Sequence, residues 1–479
     1  MAHIPDDLTA PLLGSIPINY NAANSEEGRN GSDGQENTYT KALLKKRIAL
    51  VVIITLSAAA AAVCVITTNP FIFSSSKPNT SPHLHPKATL GALPPRFHFS
   101  WDTLPVFFHS ANASGPWNDA ATSEIARYGM ATFEKWQSQG TNPGMTQEEN
   151  IPVACRQIKA VNNGSTLPTL YYLNSVLDWG TSSLHQLLID HPDYRLKDAM
   201  GQDIIAPLPG SPWCFNLSVP ALREAWILDC LNTVTSSDGC DGCFVDRSNN
   251  MTEFHVTTSV WNMSLPEAMQ FEISHMHTLS ELNTRLAAIG GFAVSNNQGL
   301  SEQLGTSSIM FEDFTGSEHC ITSLRRAASS GLVVQVHAGY IVDDGSNDTF
   351  NGCGSGDTNA MAAFLIGMGN YTYYHCAKGW TSDRRWPVQD DVWLDWREEY
   401  DRPLGRPLGD AIKSAIGGGI WQRNFSLGTY VEFDGEMGNG TIWWGDGVVQ
   451  TGLPSGDIPK KRGCRWQSLP WNIDSKFSL

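Results

Sequence analysis

With 479 residues the chain has room for a full barrel domain, which needs about 250 residues, and for extensions on either side. Its 32 basic and 48 acidic residues leave a formal charge of −16, which argues against nucleic acid or an anionic membrane surface as partner.

In chain order, residues 1–47 are rich in Ser, Asn, Gly and Glu with few large apolar groups, and read as a disordered tail. Residues 48–67 are Ile, Val, Leu and Ala without charge, long enough at about 1.5 Å per residue to cross roughly 30 Å of hydrocarbon. The segment predicts one transmembrane anchor rather than a cleaved signal peptide, which starts nearer the N-terminus and is shorter. Lys41, Lys45, Lys46 and Arg47 precede it, so the tail is expected in the cytoplasm and the C-terminal part in the lumen or outside. That is a single-pass type II topology in the secretory pathway, at the Golgi, vacuole or cell surface.

Ten Asn-X-Ser/Thr acceptors from Asn79 to Asn439 lie downstream of this segment and agree with that orientation. Nine cysteines also lie downstream; the odd number leaves at least one thiol free or paired elsewhere. Cys240 and Cys243 have the spacing of a redox or zinc site, but no second Cys/His pair accompanies them, so a structural disulfide or buried thiols are expected.

Residues 68–95 read as a stalk, 96–400 as an α/β domain and 401–479 as a small β extension. Within 96–400, short apolar β-rich runs alternate with helical stretches, the pattern of parallel strands with helical crossovers. Strands are expected at 97–101, 128–133, 169–173, 242–245, 291–295, 308–311, 332–336 and 371–374, and helices at 119–125, 146–159, 220–234, 266–288, 317–328 and 359–368. Ser218 and Ser264 stand ahead of Pro220 and Pro266 as expected caps. The fold class is therefore a (β/α)8 TIM-like barrel with a C-terminal β appendage.

Barrel active sites lie at the C-terminal strand ends, so each end is a candidate. Asp241-Gly-Cys-Phe-Val-Asp246-Arg247 is a strand read straight into an acid. Other ends offer Glu134, Asn174, Asn296, Glu312 with Asp313, and His337 with Tyr340. Two carboxylates across one cavity are the machinery of glycoside hydrolysis, one protonating the leaving oxygen and the other attacking or activating water. Asp246 is expected as nucleophile or base, kept ionised by Arg247, and Glu312 as general acid, its pKa raised by Asp313 and a drier pocket. The alternative is an Asp246 and Arg247 salt-bridge network closing the barrel rim.

Sixteen tryptophans supply sugar-stacking faces; Trp101, Trp179, Trp213, Trp380, Trp386, Trp393 and Trp396 are expected near the C-terminal loops. His275 and His277 are two apart on a helix and do not share a face, so no metal site is read there, and no phosphate or dinucleotide loop calls for a cofactor.

The stretch 241–247, with Tyr172-Leu-Asn174, Met310-Phe-Glu312, residues 403–409 and Trp421-Gln-Arg-Asn-Phe425, resembles the hypothetical glycosyl hydrolase families of barrel type, over roughly residues 96–447. The resemblance implies a (β/α)8 fold, a catalytic Asp matching Asp246 and an acidic partner matching Glu312, acting on a carbohydrate. A Golgi glycosyltransferase shares the layout of tail, anchor, stalk and lumenal domain, but the lumenal part has no Asp-X-Asp triplet to hold a metal-bound nucleotide sugar. A barrel that binds glycans without cleaving them is the third reading.

Overall fold

The computed structural model describes residues 99–452 except 162–165, 207–209, 211, 237–238, 249–260, 297–304, 313, 340–356, 378–393, 395 and 415–418. The expected tail, anchor and stalk lie outside the described residues. Among the described residues no helix is long and apolar enough to cross a membrane.

Eight strands form one parallel sheet: β1 (Phe108–Ser110), β2 (Ala131–Phe133), β3 (Thr169–Asn174), β6 (Gly242–Asp246), β7 (Phe292–Asn296), β8 (Ser308–Phe311), β9 (Val333–Ala338) and β10 (Thr372–Cys376), paired in that order. The sheet closes on itself. Tyr374 donates its N–H to the Pro105 carbonyl at 2.9 Å, and Val106 bridges Tyr374 in the parallel sense, so the segment entering β1 lies beside β10. Helices fill the crossovers: α1 (Asp119–Ile125), α2 (Gln147–Val161), α3 (Ser183–Asp190), α4 (Pro220–Thr235), α5 (Leu265–Ala288), α6 (Glu318–Ser329) and α7 (Thr358–Gly367). With helices outside and side chains inside, the strands are buried on both faces, which is why they read as apolar runs without polar alternation.

The expected first strand at 97–101 is a correction. Phe99 and Trp101 pack against Phe425, Tyr371 and Tyr373, and the Trp101 indole donates to Asn370, ahead of the strands. The true β1, Phe-His-Ser, carries two polar residues that are buried only because the barrel closes around them. The other seven expected strands fall on observed ones.

Helix starts follow local chemistry. Ser264 and Glu267 form the reciprocal capping box ahead of α5. Ser218 does not cap α4: its hydroxyl turns back to Asn216, and Val219 holds the cap position without a side-chain bond. Gly242 is required where it stands, because a Cβ there would meet the Phe292 carbonyl oxygen of β7 at 2.3 Å.

Cys240 and Cys243 are disulfide-bonded, but not to each other: Cys240 pairs with Cys155 on α2 and Cys243 with Cys230 on α4. Cys240 stands just ahead of β6 and Cys243 within it, so the start of the strand is tied to both helices. Cys214 is free and buried, which accounts for one odd thiol.

Between β3 and α4 the chain inserts a two-stranded antiparallel sheet, β4 (Leu177–Asp178) with β5 (Trp213–Cys214), over a satellite core that includes Val176, Ile204, Trp261 and Phe271. After the barrel, β11 (Ile412–Lys413), β12 (Ile420–Asn424), β13 (Tyr430–Asp434), β14 (Asn439–Trp443) and β15 (Val449–Thr451) form an antiparallel sheet. It packs on α7: a Cβ at Gly440 would overlap the Ala362 methyl, and Arg423 donates to the Leu365, Ile366 and Met368 carbonyls at the helix end.

Candidate active site

Asp246 ends β6 in register with Asn174 of β3. Side chains two apart on a strand share a face, so Phe244 and Asp246 line the barrel interior beside Tyr172 and Asn174. The Tyr172 hydroxyl donates to Asp246 Oδ2 at 2.7 Å and Asn174 Nδ2 to the same oxygen at 2.8 Å. On the other oxygen, Oδ1, the Arg247 N–H donates at 2.8 Å and Asn296 Nδ2 at 3.0 Å. All four lone-pair positions of the carboxylate are therefore used. Burial by itself would push the Asp246 pKa up, yet the charges of Arg247 and Lys135 and the hydrogen bonds from Tyr172 and Asn296 hold it below the ordinary range. Burial, with the neighbouring charges of Asp246 and Glu134, raises the Tyr172 pKa well above its ordinary value, so its hydroxyl stays a donor.

Glu312 follows β8 and is half-buried. Asn296 Nδ2, which bonds Asp246, also donates to Glu312 Oε2 at 2.9 Å. One nitrogen thus holds both carboxylates, and the two bonded oxygens stand no more than about 6 Å apart, near 5 Å when the two N–H bonds diverge at their normal angle. Asn296 Oδ1 has no partner among the described residues.

Behind Asp246, Glu134 is buried and bonded to His109 at 2.7 Å and to Lys135 Nζ at 2.8 Å. Although burial opposes ionisation, Lys135 and His109 hold the Glu134 pKa down. Lys135 Nζ lies 4.2 Å from the Tyr172 ring centre and 5.1 Å from that of Trp179. Glu134 therefore holds Lys135 in place instead of lining an open cavity. His337 is buried with Nδ1 against the Glu312 carbonyl at 3.1 Å, and burial with the nearby His109 lowers its pKa to about 3.

Of the residues singled out from sequence, Asp246, Asn174, Asn296, Glu312 and the Arg247 backbone meet at one point, while Glu134 and His337 stand behind it. Asp313, Tyr340, Trp380, Trp386 and Trp393 lie outside the described residues. Trp101 and Trp396 are corrections to the expected C-terminal set. Trp396 packs on Tyr128, Tyr400 and Arg127, away from the Asp246 carboxylate's partners. The Asp246 and Arg247 rim salt bridge is absent among the described residues, because the carboxylate is saturated by other donors. Sequence reading missed Tyr172 and Lys135. The first was legible from the two-residue period of β3, which puts Tyr172 on the face of Asn174; the second was not, since its place depends on Glu134 and on aromatic faces from other segments.

A closed (β/α)8 barrel with two carboxylates on one shared donor, at the C-terminal ends of its strands, is the class of protein these elements define. Residues 164–429 match hypothetical glycosyl hydrolase family 15. This is more than half of the chain, and the protein belongs to that family. No curated protein sequence matches it. Among solved structures, the chain is similar to alpha-L-fucosidase isoenzyme 2 from Paenibacillus thiaminolyticus, with 13% identity and a TM-score of 0.39 over 63% of this chain and 48% of that one. It is also similar to a noncanonic maltogenic alpha-amylase from Thermotoga neapolitana, at 8% identity and a TM-score of 0.40 over 71% and 88% of the two chains. An alpha-amylase from Lactobacillus plantarum gives 10% and 0.41 over 71% and 90%. The chain spans about half the length of the fucosidase.

Proposed function

We propose that the protein is a membrane-anchored glycoside hydrolase in which Asp246 attacks the anomeric carbon and Glu312 protonates the leaving oxygen, then activates water. The observation that carries this reading is the Asn296 amide bonded to both carboxylates. It favours a separation near the roughly 5 to 5.5 Å of the covalent, retaining route over the roughly 6.5 to 9.5 Å that accommodates a water between the groups. The division of roles rests on Asp246, which is held ionised as a nucleophile must be. Its attack requires one of the four donors to be released, and the Asn296 bond, at 3.0 Å, is the longest of them. The cytoplasmic tail, the anchor at 48–67 and a lumenal barrel complete the proposal. Exposed glycosylation acceptors at Asn262, Asn370 and Asn424 support that orientation.

The test is the full-length chain screened on aryl glycosides and oligosaccharides, with anomeric configuration followed by NMR. Asp246→Asn and Glu312→Gln are expected to fold and to lose at least about a hundredfold in kcat/KM. Retention of configuration is expected. Full turnover by either variant, or inversion, overturns the reading.

A further inference from the structure

Arg247 lies beside the candidate nucleophile, half-buried, and among the described residues its guanidinium has neither a carboxylate in ion-pair reach nor a hydrogen-bond acceptor. Its bonds are main-chain ones, the N–H to Asp246 Oδ1 and the carbonyl accepting from Ser175 Oγ at 2.9 Å. Three other arginines, by contrast, are held by carboxylates: Arg195 by Asp203, Arg285 by Glu224, and Arg397 by Asp357. Asp246 cannot match Arg247, because its lone pairs are already taken by Tyr172, Asn174, Asn296 and the Arg247 N–H. Lys135, the other cation near Asp246, is matched by Glu134.

The backbone at Arg247 is unusual as well. Its φ is +57°, in the left-handed region that a side chain with a Cβ disfavours. A buried clamp maintains it: Ser175 Oγ lies 2.9 Å from both the Asp246 and the Arg247 carbonyl oxygens, and His275 Nε2 lies 2.9 Å from Ser175 Oγ. Ser175 and His275 are both fully buried. Three elements thus fix the strand end in a strained turn that presents a planar fork of donors with nothing to bind.

We propose that Arg247 binds an oxyanion carried by the sugar at the Asp246 site, a uronic carboxylate or a sulfate ester, so that the substrate is an acidic glycan. The guanidinium fork suits both groups by paired N–H bonds. This inference rests on the glycosidase reading above for the presence of a sugar, but not on its catalytic roles.

The test compares initial rates of the full-length protein on aryl glucuronides, aryl galacturonides, sulfated aryl glycosides and their neutral counterparts in both anomeric forms. Arg247→Met and Arg247→Lys are run in parallel, with heat stabilisation by the corresponding free sugars. An acidic substrate should be favoured over its neutral counterpart by at least about tenfold in kcat/KM, mainly through KM. The ratio should collapse in Arg247→Met and be intermediate in Arg247→Lys; uronide or sulfate as the favoured arm identifies the group. Equal rates on acidic and neutral substrates overturn the inference and leave the hydrolase standing. So does a ratio that Arg247→Met leaves unchanged while the pH profile moves, since Arg247 then only tunes Asp246. Arg247-dependent heat stabilisation by acidic sugars without any hydrolysis supports the anion site and overturns the hydrolase; neither signal overturns both.

Discussion

Asn296 places two hydrogen bonds on one nitrogen and so holds two ionisable groups at a fixed spacing. Replacing it with Ala frees Glu312 relative to Asp246, and kcat/KM on a cleaved glycoside is expected to fall about a hundredfold with little change in thermal midpoint. A loss confined to stability would assign Asn296 to the scaffold alone. Lys135 acts on Asp246 through charge. In Lys135→Met the Asp246 pKa rises, because a lowering charge has been removed while burial remains. The acidic limb of the pH profile for kcat/KM should therefore move to higher pH, whereas an unmoved limb would show that Lys135 does not act on the group that titrates. Asp246 was legible from sequence because a strand running straight into an acid is a local pattern. The partner of Lys135 was not, because cation, Glu134 and aromatic faces meet only in three dimensions.

At the level of elements, β6 is held from several sides. Its first residue is a glycine pressed against β7, its second, Cys243, is bonded to α4, and Cys240 just ahead of it is bonded to α2. Gly242→Ala must move the Phe292 carbonyl and should cost about 1 to 3 kcal/mol, with activity lost alongside, because Asp246 stands at the far end of the same strand. Joint replacement of Cys155 and Cys240 by Ala opens a loop closed over 85 residues and should lower unfolding free energy by about 2 to 4 kcal/mol, measured by denaturant titration. The pairing could not be read from the C-x-x-C spacing, because the partners, Cys155 and Cys230, sit on two different helices that only the fold brings beside this strand. The first strand was misplaced for a related reason. Residues 97–101 have the composition of a strand, but Phe99 and Trp101 pack against Tyr371, Tyr373 and Phe425 instead, and the polar Phe-His-Ser of β1 is buried only through closure against β10.

Over the whole molecule, several buried histidines, on strands and on α5, are held neutral in the fold. His275 and His337 have folded pKa values of about 4 and about 3, burial being the main cause in both. Burial also lowers His375 and His109. Their unfolded value is near 6.5, so below that pH the unfolded chain takes up protons the folded chain refuses. Unfolding free energy should fall as pH drops from about 6.5 toward 4, by up to about 1.4 kcal/mol per pH unit for each such group, and a flat curve of stability against pH in that window would contradict it.

The sequence alone determined the alternation of strands and helices, the register of the acidic strand end and the list of polar residues at the mouth, because these follow from local period and composition. Tertiary structure decided which of them converge. The shared Asn296 donor, the unmatched Arg247, the separate disulfides and the burial of His109 and Glu134 all depend on strands far apart in the chain being brought side by side, and distances of that kind leave no trace in a linear pattern.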